Sequence, residues 1–304
     1  MADRIPVILS KDRTGQADRV RLEKQIIEGL SQWPEVDLTV VPHLYDLPAD
    51  GPGMRLVQSI PGDLIVLAGL YPRSAFWVLD ANRVRGRLGQ TSSLPEEEPE
   101  RIGARVDAAD ASKRTLWCLD LRTHDRPELY LEEIGRIVET SVAPSLEPEP
   151  PRAAGPSEIE ESARARWYPV IDYSRCTNCL ECLNFCLFGV YDLDESEVIV
   201  AGQPDACRAG CPACARICPA GAIMFPEHKD PAIAGDPEAS PEGFKLDLSQ
   251  LFGGVDPAQI AAAERNRALA ARGDEIEPPQ ADAEKQPAKD DLDRLVDEVD
   301  ELDL

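Results

Sequence analysis

The chain has 304 residues, 43% of them hydrophobic, and its 56 acidic against 32 basic side chains leave a formal net charge of −24. That charge excludes the phosphates of nucleic acid and an anionic membrane face as binding surfaces, and it leaves basic proteins as the natural partners. No run reaches the about eighteen consecutive apolar residues of a membrane helix, and the opening MADRIPVILSKDR lacks a basic stretch followed by an apolar one, so a cytoplasmic protein is expected.

Residues 1–143 read as alternating strands and helices. Residues 5–9 are a short apolar run, and residues 17–33 place Val20, Ile26, Ile27 and Leu30 at helical spacing. Residues 36–41, 63–68 (DLIVLA) and 114–121 (RTLWCLDL) read as further strands, and 129–142 as a closing helix. This alternation predicts an α/β domain with a mostly parallel sheet covered by helices. The loop SKDRTGQA at 10–17 carries the Ser, Thr and Gly that could cradle a phosphate or a flavin, although a strand-to-helix turn is polar in any case. Neither the dinucleotide-binding glycine pattern nor a P-loop occurs.

Single residues in this part read plainly. Cys118, alone on its strand, is expected to be a buried small hydrophobe. His43, His124 and His228 are scattered and read as surface or loop residues. Arg83, Arg85 and Arg87, with Arg73 nearby, read as a solvated helix face or a basic docking surface. Residues 94–100 (LPEEEPE) read as a surface loop.

Residues 144–165 are rich in proline and acid and read as a linker to a second domain at 166–228. Beyond it, residues 229–304 hold twenty acidic and eight basic side chains, half of the whole chain's net charge, and are expected to be a largely disordered tail. Two pieces of that tail could be helical, 257–272 and 290–304. In the latter Leu292, Leu295, Val296, Val299 and Leu302 fall on one face, which could dock on a protein partner.

Eight of the nine cysteines lie between Cys176 and Cys218. Unexported thiols stay reduced, so metal binding is the expected use and a disulfide framework is not. The first run is Cys176-x-x-Cys179-x-x-Cys182-x-x-x-Cys186, and the second is Cys207-x-x-x-Cys211-x-x-Cys214-x-x-x-Cys218-Pro219. Three closely spaced cysteines can wrap one cubane from a single loop, while the fourth corner must be supplied from elsewhere. Two structural zinc sites are the alternative, but zinc modules bring two Cys-x-x-Cys knuckles together across a long spacer.

At these residues the chain resembles the dicluster [4Fe–4S] bacterial-type ferredoxin family, over about sixty residues with YPVIDY (168–173) and AGAIMF (220–225) as flanking strands. The resemblance implies a small α+β ferredoxin-like domain, two [4Fe–4S] clusters, single-electron relay and redox protein partners. It also implies crossed ligation, with Cys176, Cys179, Cys182 and Cys218 on one cluster and Cys207, Cys211, Cys214 and Cys186 on the other. Two positions depart from the family pattern: Leu187 follows Cys186 where proline is usual, and three residues separate Cys207 from Cys211. The N-terminal part bears a fainter resemblance to the amino-terminal portion of the A-type component of heterodisulfide reductase and related electron-transfer proteins, on 34–46 (PEVDLTVVPHLYD) and 63–73 (DLIVLAGLYPR). Ser10, Tyr45 and Leu70 stand where those relatives carry cysteines, so a docking scaffold without a cluster is implied. The expected role is an electron carrier or the iron–sulfur subunit of an oxidoreductase. The alternatives are a scaffold with structural clusters and a redox subunit that binds a flavin or substrate.

Overall fold

The computed structural model describes residues 4–96, 99, 114–141, 156–162 and 164–239. The first apolar run becomes β1 (Ile5–Ser10), followed by α1 (Ala17–Leu30), β2 (Val36–Val41), α2 (Pro52–Ser59), β3 (Leu64–Ala68) and α3 (Pro72–Ala81). A two-residue β4 (Arg87–Leu88), β5 (Thr115–Asp120) and α4 (Pro127–Ser141) complete the alternation. With β6 (Ser157–Glu158) the strands form one sheet in the order β4-β5-β3-β1-β2-β6, every pair parallel. β6 lies inside the proline- and acid-rich stretch and bonds alongside Thr39 and Val40 of β2.

The two-residue period of each strand divides its side chains between two cores. In β3, Leu64, Val66 and Ala68 join Met54 and Val57 of α2 and Phe76 and Trp77 of α3. Ile65 and Leu67 turn the other way, toward Leu22, Ile26 and Leu30 of α1 and Ile134 and Ile137 of α4. Among the described residues no helix is long and apolar enough to cross a membrane.

α1 ends at Leu30, three residues before the expected end, because Pro34 disfavours helix at the residue before it. The sequence carries no sign of α3, since it is buried from Pro72 to Asp80 and the polar residues it carries, Arg73, Ser74 and Asp80, do not face solvent. Its second side is covered by Tyr168, Val170 and Met224. Arg73 therefore does not belong to a solvated patch: its side chain is 1% exposed. Arg83, Arg85 and Arg87 are exposed, but on the turn after α3 and on β4 rather than on a helix face. His43 is also no surface residue; it is buried at the start of a short 3-10 turn and lies 3.3 Å from Glu227. Cys118 is fully buried, and burial pushes its thiol up to about 12. The middle of the 94–100 loop and the candidate tail helices at 257–272 and 290–304 lie outside the described residues.

Candidate metal centre

β7 (Val170–Ile171) pairs antiparallel with β10 (Ile223–Met224), and the cysteine runs lie between these strands. Val170 and Met224 face the α3 core, while Ile171 and Ile223 face the cysteines. Between the strands come α5 (Glu181–Phe185), the hairpin of β8 (Asp192–Leu193) with β9 (Ile199–Val200), and α6 (Ala213–Ile217). α7 (Pro231–Ala234) closes the segment.

The two runs take the same local path. Cys182 sits in α5 and Cys214 in α6, and each helix ends on a cysteine. The Cys186 amide donates to the Cys182 carbonyl and the Cys218 amide to the Cys214 carbonyl, both at 3.1 Å. Each end leads into a turn reaching a left-handed glycine, Gly189 at φ +65° and Gly221 at φ +59°. Leu187 occupies the turn position that Pro219 holds in the second run. The missing proline is thus tolerated, and the Leu187 side chain stands 92% exposed.

The loops ahead of the helices differ. The first bends through Asn178 and Leu180, both at positive φ. The Asn178 amide side chain donates to the Glu197 carbonyl and accepts from the Ile199 amide, each at 2.9 Å, tying the loop to the β8–β9 hairpin. In the second run the additional residue is absorbed at Gly210, φ +77°, within a turn closed by the Cys211 amide on the Arg208 carbonyl.

Cys176, Cys179, Cys182 and Cys218 line one small cavity with apolar walls that include Ile171, Leu180, Ile199 and Ile223. Burial pushes the Cys182 thiol up, and the neighbouring sulfurs of Cys218, Cys176 and Cys179 push it further. On the other side burial raises Cys207 to about 11, helped by Cys211 and Cys186. Burial also raises Cys214 to about 12, with Cys207 and Cys186 adding to it. Cys218 of the second run thus lies among cysteines of the first, and Cys186 of the first lies among cysteines of the second.

Hydrogen bonds oppose the burial at several sulfurs. The Ala222 amide donates to Cys218 Sγ at 3.3 Å, and the Asn178 amide favours the charged form of Cys176; the buried Tyr191 hydroxyl lies beside Cys214 but makes no hydrogen bond among the described residues. Such donors stabilise negative charge on sulfur and tune whatever metal group it holds. Among the described residues no three His, Cys, Asp or Glu side chains are gathered to hold one ion. All-thiolate donors ringing an apolar-walled space, rather than meeting at a point, fit an iron–sulfur cluster.

The cysteine segment is held on the α/β layer by buried polar contacts. Arg73 Nε donates to Asp172 Oδ2 at 2.6 Å, and its Nη2 donates to the Gly221 carbonyl at 3.0 Å. Asp172 also accepts from the Ser174 amide at 2.9 Å, and its carbonyl receives the Cys176 amide at 3.0 Å. The Tyr45 ring stacks on Tyr168 at 4.3 Å, its hydroxyl receives the Tyr168 amide at 2.7 Å, and it donates to the Tyr168 carbonyl. Near the crevice after β1, Glu227 faces His43 and Arg13. Burial pushes the Glu227 carboxyl up, but these partners outweigh it and hold the group below its ordinary value.

Asn178 and Asp172 carry no motif, so nothing in the sequence marks them out, and Arg73 reads there only as a neighbour of a basic patch. The 10–17 loop is closed by its own Asp12, whose carboxylate accepts from the Thr14 amide at 2.8 Å and the Gly15 amide at 3.0 Å. Two of the loop's amides are thereby used, while the first turn of α1 has no side-chain cap.

No family model matches the chain. It is 47% identical over 66 residues to an uncharacterized ferredoxin of Methanocaldococcus jannaschii, and 42% identical over 55 residues to another uncharacterized ferredoxin of that organism. It is 36% identical over 59 residues to a ferredoxin of Methanothermococcus thermolithotrophicus. These matches take up 21%, 17% and 19% of this chain, and 44%, 86% and 95% of the respective relatives. The chain thus spans less than half of the first relative's length and nearly all of the other two.

Proposed function

The chain belongs to the ferredoxin family over about a fifth of its length, and from that premise we propose that it relays single electrons through two [4Fe–4S] clusters. Cys176, Cys179, Cys182 and Cys218 would hold one cluster, and Cys207, Cys211, Cys214 and Cys186 the other. The observation that carries this reading is the exchange of the last cysteines, each run sending one sulfur among those of its neighbour. When bound, each cluster supplies a site that takes up and returns one electron.

The protein's own residues set the conditions for that exchange. The Ala222 amide stabilises negative charge on Cys218, and the Asn178 amide does so on Cys176. Ile171, Ile199 and Ile223 keep water from the first set. Arg73 and Asp172 fix the strands from which the loops spring. The α/β layer then serves as a rigid platform, and the chain acts as a free carrier or as the iron–sulfur subunit of a larger oxidoreductase.

The test is anaerobic reduction with dithionite followed by reoxidation, monitored by EPR. Two interacting paramagnetic centres that appear and disappear reversibly are expected; a protein that stays EPR-silent and unbleached would refute the relay.

A further inference from the structure

Among the described residues the large apolar side chains that remain exposed are Phe185, Leu187, Phe188 and Leu193. All four lie between positions 185 and 193, and Cys186 stands in their midst. Exposed apolar residues scattered singly need no explanation, but a set gathered on one segment around a sulfur of the candidate centre does. Along this segment the charge is of one sign. Asp192, Glu195 and Glu197 are exposed beside the set, and no Lys or Arg occurs between Arg175 and Arg208.

We infer that Phe185, Leu187, Phe188 and Leu193 form a docking surface around Cys186 for a redox protein whose contact face is apolar at its centre and ringed by lysine and arginine. The inference rests on the electron-relay reading. An acidic rim steers a basic partner into register, and the apolar centre expels water where the two proteins meet. The same charge argument excludes other occupants. The 290–304 stretch, DDLDRLVDEVDELDL, offers an apolar stripe but brings acids against acids. A second copy would bring the same acidic rim and a further formal charge of −24. Leu187, standing fully outward where the equivalent turn of the second run has Pro219, is the natural anchor.

The full-length protein, reduced anaerobically with dithionite, is mixed with a lysine-ringed c-type cytochrome as the probe. One electron passes from the reduced protein to each ferric haem. Leu187→Ser is expected to slow the second-order rate by about fivefold or more, the loss expected when an interface anchor is truncated. Its iron content and EPR amplitude should stay at wild-type values. Glu195→Lys is expected to slow the reaction at low salt and to flatten its dependence on ionic strength.

A Leu187→Ser protein that is reduced normally and reacts at the wild-type rate would overturn the surface while leaving the relay intact. A chain that dithionite does not reduce would overturn the relay and the surface with it. A wild-type dimer in sedimentation that Leu187→Ser dissociates would assign the patch to a second copy. Faster cytochrome reduction by full-length Val299→Asp would assign it to the chain's own tail.

Discussion

Replacing Asp172 with asparagine should break the contact that joins the cysteine segment to the α/β layer. Asp172 is 0% exposed and Arg73 1%, so the substitution leaves a guanidinium buried without its counter-charge. Removing one partner of a buried pair costs about 3–5 kcal/mol, well above the about 0–1 kcal/mol of an exposed pair. The upper part of that range is expected here, because Oδ1 is held by the Ser174 amide and hydroxyl, which leaves the new amide NH2 facing Arg73 Nε donor against donor. Anaerobic urea unfolding, followed by tryptophan fluorescence and by the visible absorbance of the bound iron, measures the loss. Replacing both partners, Arg73→Met with Asp172→Leu, should recover part of it, since no charge is then left buried although the Ser174 amide and the Gly221 carbonyl lose a partner. A cost below about 1 kcal/mol for Asp172→Asn would refute the reasoning, placing the pair with ordinary surface contacts.

Cys218→Ser should lower bound iron from about eight to about four per chain and remove the centre built on the first run, although Cys218 belongs to the second; iron analysis with EPR distinguishes this from loss of the second centre. Tyr45→Phe leaves the buried Tyr168 amide without its acceptor and should cost about 1–3 kcal/mol in the same urea assay. Cys118 gives a pH dependence of known sign. Its thiol is raised from an ordinary 9.0 to about 12 by burial, so the stability it contributes is complete below pH 9.0 and is lost as pH climbs toward 12. Cys118→Ala should therefore show a shallower alkaline decline in stability than the wild-type chain, and parallel declines would contradict the assignment.

The elements that were legible in the sequence are those whose burial leaves a period. β2 is reproduced from Val36 to Val41, and β5 falls within the expected RTLWCLDL, because an apolar run flanked by polar residues suits a sheet covered on both sides. α3 escaped because the cysteine segment covers the side a surface helix would leave to solvent, so even its polar residues Arg73, Ser74 and Asp80 are buried. The same packing explains Arg73, which lies near a cluster of arginines in sequence and yet reaches Asp172, 99 residues further along. β6 is two polar residues whose strand pairing comes from the open edge of β2, a tertiary cause with no local signal. The cysteines were legible for the opposite reason, since their spacing is itself the geometry. Asn178, which ties down the first cysteine loop, acts through contacts formed only after folding.

The most direct test of the account is the iron and acid-labile sulfide content of the full-length chain purified without oxygen. About eight of each per chain are predicted for two [4Fe–4S] clusters. About two zinc ions with no sulfide, the composition of two four-cysteine zinc sites, would contradict it.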